Sequence, residues 1–218
     1  MNATKDDILE SGLRIINARG LSALSIRAVA EDLALSPGNV SYHFRRKEDL
    51  VAALVARHGE RNRQHFDREV ATLGDFLELF REVFRGQYEF RGLVLALPDI
   101  METFEDIRTH YRRVESTRRH AQFTLLAGLR ARGALEGTDQ ELSRLVSHVT
   151  LIARFWIGEA RVSYSKYGEQ RIIGHYLALI ADTLRPYVTQ ATRADLEPYL
   201  EGWIDSLPPG SHEDHGAT

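Results

Sequence analysis

The chain has 218 residues, of which 43% are hydrophobic and 27% charged, with a formal net charge of −3 and no cysteine. That balance describes a globular protein with a substantial core; it excludes disulfide and thiol chemistry and is not the strongly basic composition of a nonspecific nucleic-acid binder. No apolar run approaches the ~20 residues of a membrane helix, and the start, Met1 to Asp7, lacks the basic residues and apolar stretch of a secretion signal, so a cytoplasmic protein with no membrane contact is expected.

Nearly every segment has helical period and no strand alternation persists, so the expected fold class is all-α. Asp6 to Ala18 carries Leu9, Leu13 and Ile16 on one face and stops at Gly20. Ser25 is placed to cap a short helix with Ile26, Val29, Ala30 and Leu33 inward. Ser36 as N-cap with Pro37 at the first helical position starts another, which runs only to about Phe44. Lys47 opens a longer helix expected to reach Val70. Phe76, Leu77, Phe80, Val83 and Phe84 form the next apolar face, and Pro98 bends the apolar stretch from Leu93 to Met101.

A long helix is predicted from Phe104 to Arg132, with Ile107, Tyr111, Val114, Ala121, Leu125 and Leu129 inward; Gly133 and Gly137 end it. Two more follow at 140–164 and 169–186, the second stopped by Pro186. A weaker helix is expected from Arg193 to Ser206. The polar tail 207–218, rich in Pro, Gly and His, is expected to be disordered. The organisation predicted is a three-helix DNA-binding unit over residues 1–50 and a larger helical unit over 51–206.

Three short helices followed by a long one, the second and third joined by a few residues, fit a helix-turn-helix. Gly38, Asn39 and Ser41 are poor helix formers, but their small size lets a helix approach base edges, and Asn39 can read an adenine edge. Between Ser36 and Lys47 there are three cations and no acid, so the net charge of the whole chain misleads about this segment. Arg27 and Lys47 each lie near a predicted helix N-terminus, where a cation opposes the helix dipole and an anionic phosphate relieves it.

The stretch from Leu24-Ser25-Ile26-Arg27 through Ser36-Pro37-Gly38-Asn39-Val40-Ser41-Tyr42-His43-Phe44 to Lys47-Glu48-Asp49-Leu50 resembles the DNA-binding domain of the TetR family of repressors. The resemblance covers roughly residues 5–51. It implies that Pro37, Gly38, Asn39 and Ser41 face the major groove, that Tyr42, His43 and Lys47 contact phosphates, and that Arg27 lies near the backbone or a base; Ser36 is counted with them as a DNA-binding candidate. Many family members carry tyrosine where this chain has Ser41, which loses aromatic reach but keeps a hydroxyl donor. Segments at 87–100, Phe155-Trp156 and 184–188 are similar to a C-terminal subgroup of TetR-type repressors, which implies an effector-binding, dimerising helical domain.

The helices at 140–164 and 169–186 are apolar on more than one face. An outer stripe is therefore expected to meet a second copy, with Val149, Trp156, Ile172, Tyr176 and Leu179 as candidates; a fully buried central helix is the alternative. A homodimer would read a palindromic operator in double-stranded DNA. Effector candidates are Tyr88, Phe104, His110, Tyr111, Arg113, Phe123, Arg154, Phe155 and Trp156. Phe90, Met101 and His148 stand beside them. Arg154, in an otherwise apolar helix, needs a carboxylate such as Glu89 or Glu102, or an anionic effector.

No Gly-rich phosphate loop, paired metal motif or nucleophile elbow is present, so no cofactor, metal or catalytic residue is expected. A small-molecule-controlled repressor is the predicted function. An activator, a regulator without ligand control and a ligand-binding helical enzyme are the alternatives.

Overall fold

The computed structural model describes residues 4–204. Among them are eleven α-helices, short 3-10 turns and a single isolated antiparallel bridge between Leu135 and Val188. Helix α1 (Lys5–Arg19) begins in a capping box, where Thr4 Oγ1 accepts the Asp7 N–H and the Asp7 carboxylate accepts the Thr4 N–H. It ends at Gly20, whose φ of 82° is open to glycine without strain. Helix α2 (Ile26–Asp32) starts with the Ala28 N–H donating to Ser25 Oγ.

Ala34, at φ 54°, turns the chain out of α2. Its N–H donates to Glu31 and that of Leu35 to Ala30, the paired bonds of a Schellman stop made here without glycine. Helix α3 (Pro37–His43) follows at once, then α4 (Lys47–Phe66).

The remaining helices are α5 (Leu73–Glu89), α6 (Arg91–Leu95), α7 (Leu97–Thr103), α8 (Glu105–Ala131), α9 (Asp139–Ser163), α10 (Glu169–Leu184) and the single turn α11 (Glu197–Leu200). Capping boxes open α5 (Thr72 and Asp75) and α9 (Thr138 and Glu141). Pro98 sits in the first turn of α7, so the expected bend falls at Ala96, two residues before the proline. Helix α4 stops at Phe66 rather than Val70. The helix expected from Arg193 is instead a 3-10 segment, Gln190–Leu196, followed by α11. Pro198 has no N–H for the carbonyl four residues back, which a continuous α-helix would require. The tail 207–218 lies outside the described residues.

Two apolar cores result. The first gathers Ile8, Ile16, Leu24, Val29, Val40, Phe44, Leu50 and Leu54, and is completed by Phe90, Leu93, Ile100 and Ile107 from well beyond residue 51. The second surrounds α5, α9 and α10, with Phe76, Phe80, Phe84, Trp156, Leu177 and Ile180 inside. Helix α10 is buried on nearly every face because α5, α9 and the C-terminal segment pack around it. Gly202 lies so close to Gly174 that an added Cβ would come within 2.4 Å of the Gly174 carbonyl oxygen.

The expected dimer stripe is therefore corrected. Val149, Trp156, Ile172 and Tyr176 are buried inside one protomer, and Leu179 is half-buried. The second apolar face of α10 meets its own chain.

The two cores are joined at α1 and α6. Asn17 Nδ2 donates to the Glu89 carbonyl at 2.7 Å, and the Gly92 N–H donates to Asn17 Oδ1 at 2.8 Å. A Cβ on residue 92 would lie 2.5 Å from the Ile16 carbonyl oxygen. Backbone atoms cannot give way as a flexible side chain can, so Gly92→Ala should lower unfolding stability by about 1–3 kcal/mol. Asn17→Ala should cost about 1–2 kcal/mol through the two lost hydrogen bonds. Urea unfolding monitored by circular dichroism measures both, and unchanged midpoints would show that this contact does not hold the cores together.

Candidate DNA-binding surface and effector chamber

Helix α3 is anchored by Val40 and by Phe44 at its end, both buried in the first core. The rest of its surface is open. Pro37, Gly38 and His43 are exposed, Asn39 and Ser41 are half-buried at its flanks, and Tyr42 is 84% exposed. A large aromatic ring left in water on a helix this short has no packing role in the protomer. Ser36 occupies the N-cap position but makes no side-chain capping bond, unlike Ser25. The cap expected of its side chain is absent, and its exposed hydroxyl is available to an outside partner.

The cations around α3 differ in what holds them. Arg27 pairs with Glu31 at 2.8 Å, and Arg46 with Asp49 at 3.4 Å. Lys47 Nζ donates to the Leu21 carbonyl at 2.8 Å, so its ammonium braces the turn before α2 against the start of α4. Arg45 is exposed and forms no ion pair among the described residues. It was absent from the sequence candidates because a run of three adjacent cations does not reveal which are already engaged.

A second arrangement lies inside the larger core. The buried face of α8 reads Ile107, Tyr111, Glu115, Arg118, Gln122, Leu126 and Leu129, so its middle is polar. Glu115 accepts from Arg154 of α9 and from Arg118 at 3.3 Å. Thr150 donates to Gln122 at 3.2 Å, Trp156 Nε1 to Gln87 at 2.6 Å, and Gln87 Nε2 to the Ala153 carbonyl at 2.9 Å.

Between α4, α5, α8 and α9 these side chains enclose two small cavities of about 30 Å³ each. Asn62, only 2% exposed, lines both, and its Oδ1 has no partner. Its Nδ2 lies 3.1 Å from His58 Nε2, while His58 Nδ1 is also buried and unpaired. Tyr111, Glu115 and Arg154 also line a groove of about 700 Å³ that opens outward between α6, α7, α8 and α9. Two chambers for single water-sized groups thus sit behind a wider apolar mouth.

Comparison with known proteins agrees with this anatomy. The family described as "Bacterial regulatory proteins, tetR family" matches residues 8–54, and the one described as "Bacterial transcriptional repressor" matches residues 56–196. The chain belongs to the TetR family. Among curated relatives, the probable HTH-type transcriptional regulator YttP of Bacillus subtilis is 35% identical over 54 residues, which is 25% of this chain and 26% of that protein. The chain thus aligns with about a quarter of that relative's length.

A TetR-family transcriptional regulator from Marinobacter aquaeolei has the same fold at TM-score 0.85 and 22% identity, covering 93% of this chain and 100% of that one. The SmeT–triclosan complex superposes at TM-score 0.61 and 15% identity, covering 86% and 92%. As a TetR-family member the chain is a DNA-binding transcriptional regulator with an all-α fold. No helix among the described residues is long and apolar enough to cross a membrane.

The effector candidates fall in several places. Tyr111 and Arg154 line the chamber, and Phe155 lies at the groove's rim, 55% exposed. Tyr88 and Trp156 instead line a separate cleft of about 880 Å³ between α1 and α9. His110 and Arg113 are exposed on the outer side of α8, as His148 is on α9. Phe104 packs against the first core, which also holds Phe90, and Phe123 packs against the second; Met101 lines the groove. Arg154 is paired with Glu115 rather than with Glu89 or Glu102; Glu89 accepts from Arg61 at 2.8 Å.

The residues that sequence reading missed are the buried polar ones: His58, Asn62, Gln87, Glu115, Arg118 and Gln122. One signal could have found three of them. Spacings of four, four, three, four, four and three from Ile107 to Leu129 trace one unbroken helix face.

Burial, reinforced by the nearby Arg118 and Arg61 guanidiniums, pushes the His58 imidazole down to about 3. In the unfolded chain the same group titrates near 6.5. Between those values the unfolded state holds a proton that the folded state refuses, so stability is complete above about pH 6.5 and falls with acidification. The loss attributable to His58 should be roughly 2 kcal/mol by pH 5. Denaturant unfolding of the wild type and of His58→Gln at pH 7, 6 and 5 measures it. The variant should show a shallower decline, and parallel declines would show that the imidazole is not held neutral.

Proposed function

We propose that this regulator is a homodimeric, cytoplasmic repressor that binds a palindromic operator through α3 and leaves it when a small molecule fills the groove and chamber. Residues 1–50 act as the DNA reader and residues 51–206 as the effector and dimerisation unit. The observation that carries this reading is the identity of the chamber's walls. They include α4, through His58, Asn62 and Phe66, and Val94 of α6. These are the helices tied to the reader, α4 by the Lys47–Leu21 bond and α6 by the contact of Gly92 with α1.

A ligand that moves α4 or α6 therefore moves the reader in one of its two attachments. It can weaken DNA binding only by its preference for the displaced arrangement, typically 1–3 kcal/mol. The SmeT–triclosan complex supports a small-molecule role for this fold.

Pairing of two copies is supported by α9. Leu151, Phe155 and Val162 account for three of the five large hydrophobic residues exposed among the described ones, and their spacing puts them on one side of one helix. Exposed apolar side chains aligned on one side of a helix in this way fit a protein contact. It replaces the stripe expected from Val149, Trp156, Ile172, Tyr176 and Leu179.

Selection of bound duplexes from a random pool by the purified full chain should return a palindrome with half-sites about one helical turn apart. Asn39→Ala should relax preference at one position of each half-site, whereas Arg45→Ala should weaken all sequences about equally and reduce the salt dependence. Recovery of no common sequence at low salt would overturn the reading. In a second test, Leu151→Glu together with Val162→Glu should yield a monomer by analytical ultracentrifugation with operator affinity reduced on the order of tenfold or more. A dimer of unchanged mass would remove α9 from the interface.

A further inference from the structure

The larger core contains a charge imbalance. Arg118, Arg154 and Glu115 are all largely shielded from water, with side-chain exposures of 19%, 33% and 15%. One carboxylate serves two guanidiniums. Beside them the groove carries Arg108 and Arg112 against a single further acid, Glu102. Glu105 pairs with Arg108 at 3.3 Å but is itself 82% exposed. An excess cation taken out of water is costly unless paired.

Arg154 is placed to meet an outside anion, because it lies where the chamber meets the groove and lines both. Away from the charged side chains of α8 and from Glu102, the groove walls are apolar, with Leu97, Met101, Phe155 and Ile157 on them.

We infer that the effector is an amphipathic organic acid whose carboxylate takes over Arg154 from Glu115 while its apolar body lies along the groove between α6, α7 and α9. The exchange leaves two complete pairs, Arg154 with the ligand and Arg118 with Glu115, where one carboxylate had served both. No covalent change is involved. A guanidinium and carboxylate meet in a planar two-bond geometry that gives both strength and orientation.

This inference rests on the groove being the effector site, as proposed above. It can fail independently of DNA binding. Three probes decide the class: straight-chain carboxylates from hexanoate to dodecanoate, the alcohols of the same lengths, and the alkyltrimethylammonium ions of the same lengths. Each is titrated calorimetrically into the full chain below its micelle concentration. The best carboxylate should bind about tenfold or more tightly than the matching alcohol, and the ammonium ion should bind weakest.

Arg154→Met should lose that preference for the acid. Glu115→Gln, which removes the internal competitor, should bind the acid more tightly than wild type. It also keeps the inference testable if the Arg154 variant does not fold. Equal binding of acid and alcohol, tighter binding of the ammonium ion, no binding by any probe, or weaker acid binding by Glu115→Gln would each overturn the assignment. If the acid binds as stated while affinity for the selected operator stays unchanged, the ligand class stands and the effector-release reading falls.

Discussion

At the junction of α1 and α6 two stretches of backbone touch with no side chain between them. Gly92 makes the approach possible, and Asn17 fills both of its hydrogen-bonding ends with main-chain partners from the other half of the molecule. The rest of the architecture depends on this contact, because it fixes where the first core meets the second. With it in place, α4 can run from one core to the other, and Phe90, Leu93 and Ile100 can drop into the apolar space left open by α1 and α4. A regulator needs such a joint to be close and short. A loose hydrophobic seam would absorb a small displacement by rotamer changes, whereas opposed backbones transmit it.

The polar middle of α8 answers to a different requirement. A core of this size would be more stable if Glu115, Arg118 and Gln122 were apolar, since the cost of drying ion pairs often exceeds their mutual attraction. Their presence around a cavity that Phe66, Phe80 and Val83 also line is a local departure from the packing rule that the remaining helices obey. Such departures collect where a fold has a task beyond holding itself together.

The sequence was most legible where capping and apolar period agree. The starts of α2, α3, α4 and α9, and the glycine stops after α1 and α8, can be read from residue types alone. So can the reading helix, because Ser36-Pro37-Gly38-Asn39 is a start signal with unusually small side chains. The interior of the second half was less legible for a stated reason. Apolar counting picked Val114, Ala121 and Leu125 as the inner face of α8, yet these are half-buried, while Gln122 and Leu126 are the buried residues. A method that equates inside with apolar must rotate a helix away from its own functional side chains. The second stripe of α10 was misread for the converse reason. Its apolar residues did need covering, but the cover was the chain's own α5 and α9 together with the C-terminal segment that follows α10.

The sharing of the first core has a consequence for any attempt to treat the reader as a portable module. A fragment cut after α4 would keep its three short helices but leave bare the hollow that Phe90, Leu93, Ile100 and Ile107 occupy. Four large side chains' worth of contact would be exchanged for water, in a piece already near the size at which a single core barely sustains itself. Transplanting the specificity of α3 onto another scaffold would therefore mean carrying the plug along with the socket, or supplying a substitute plug of matching shape.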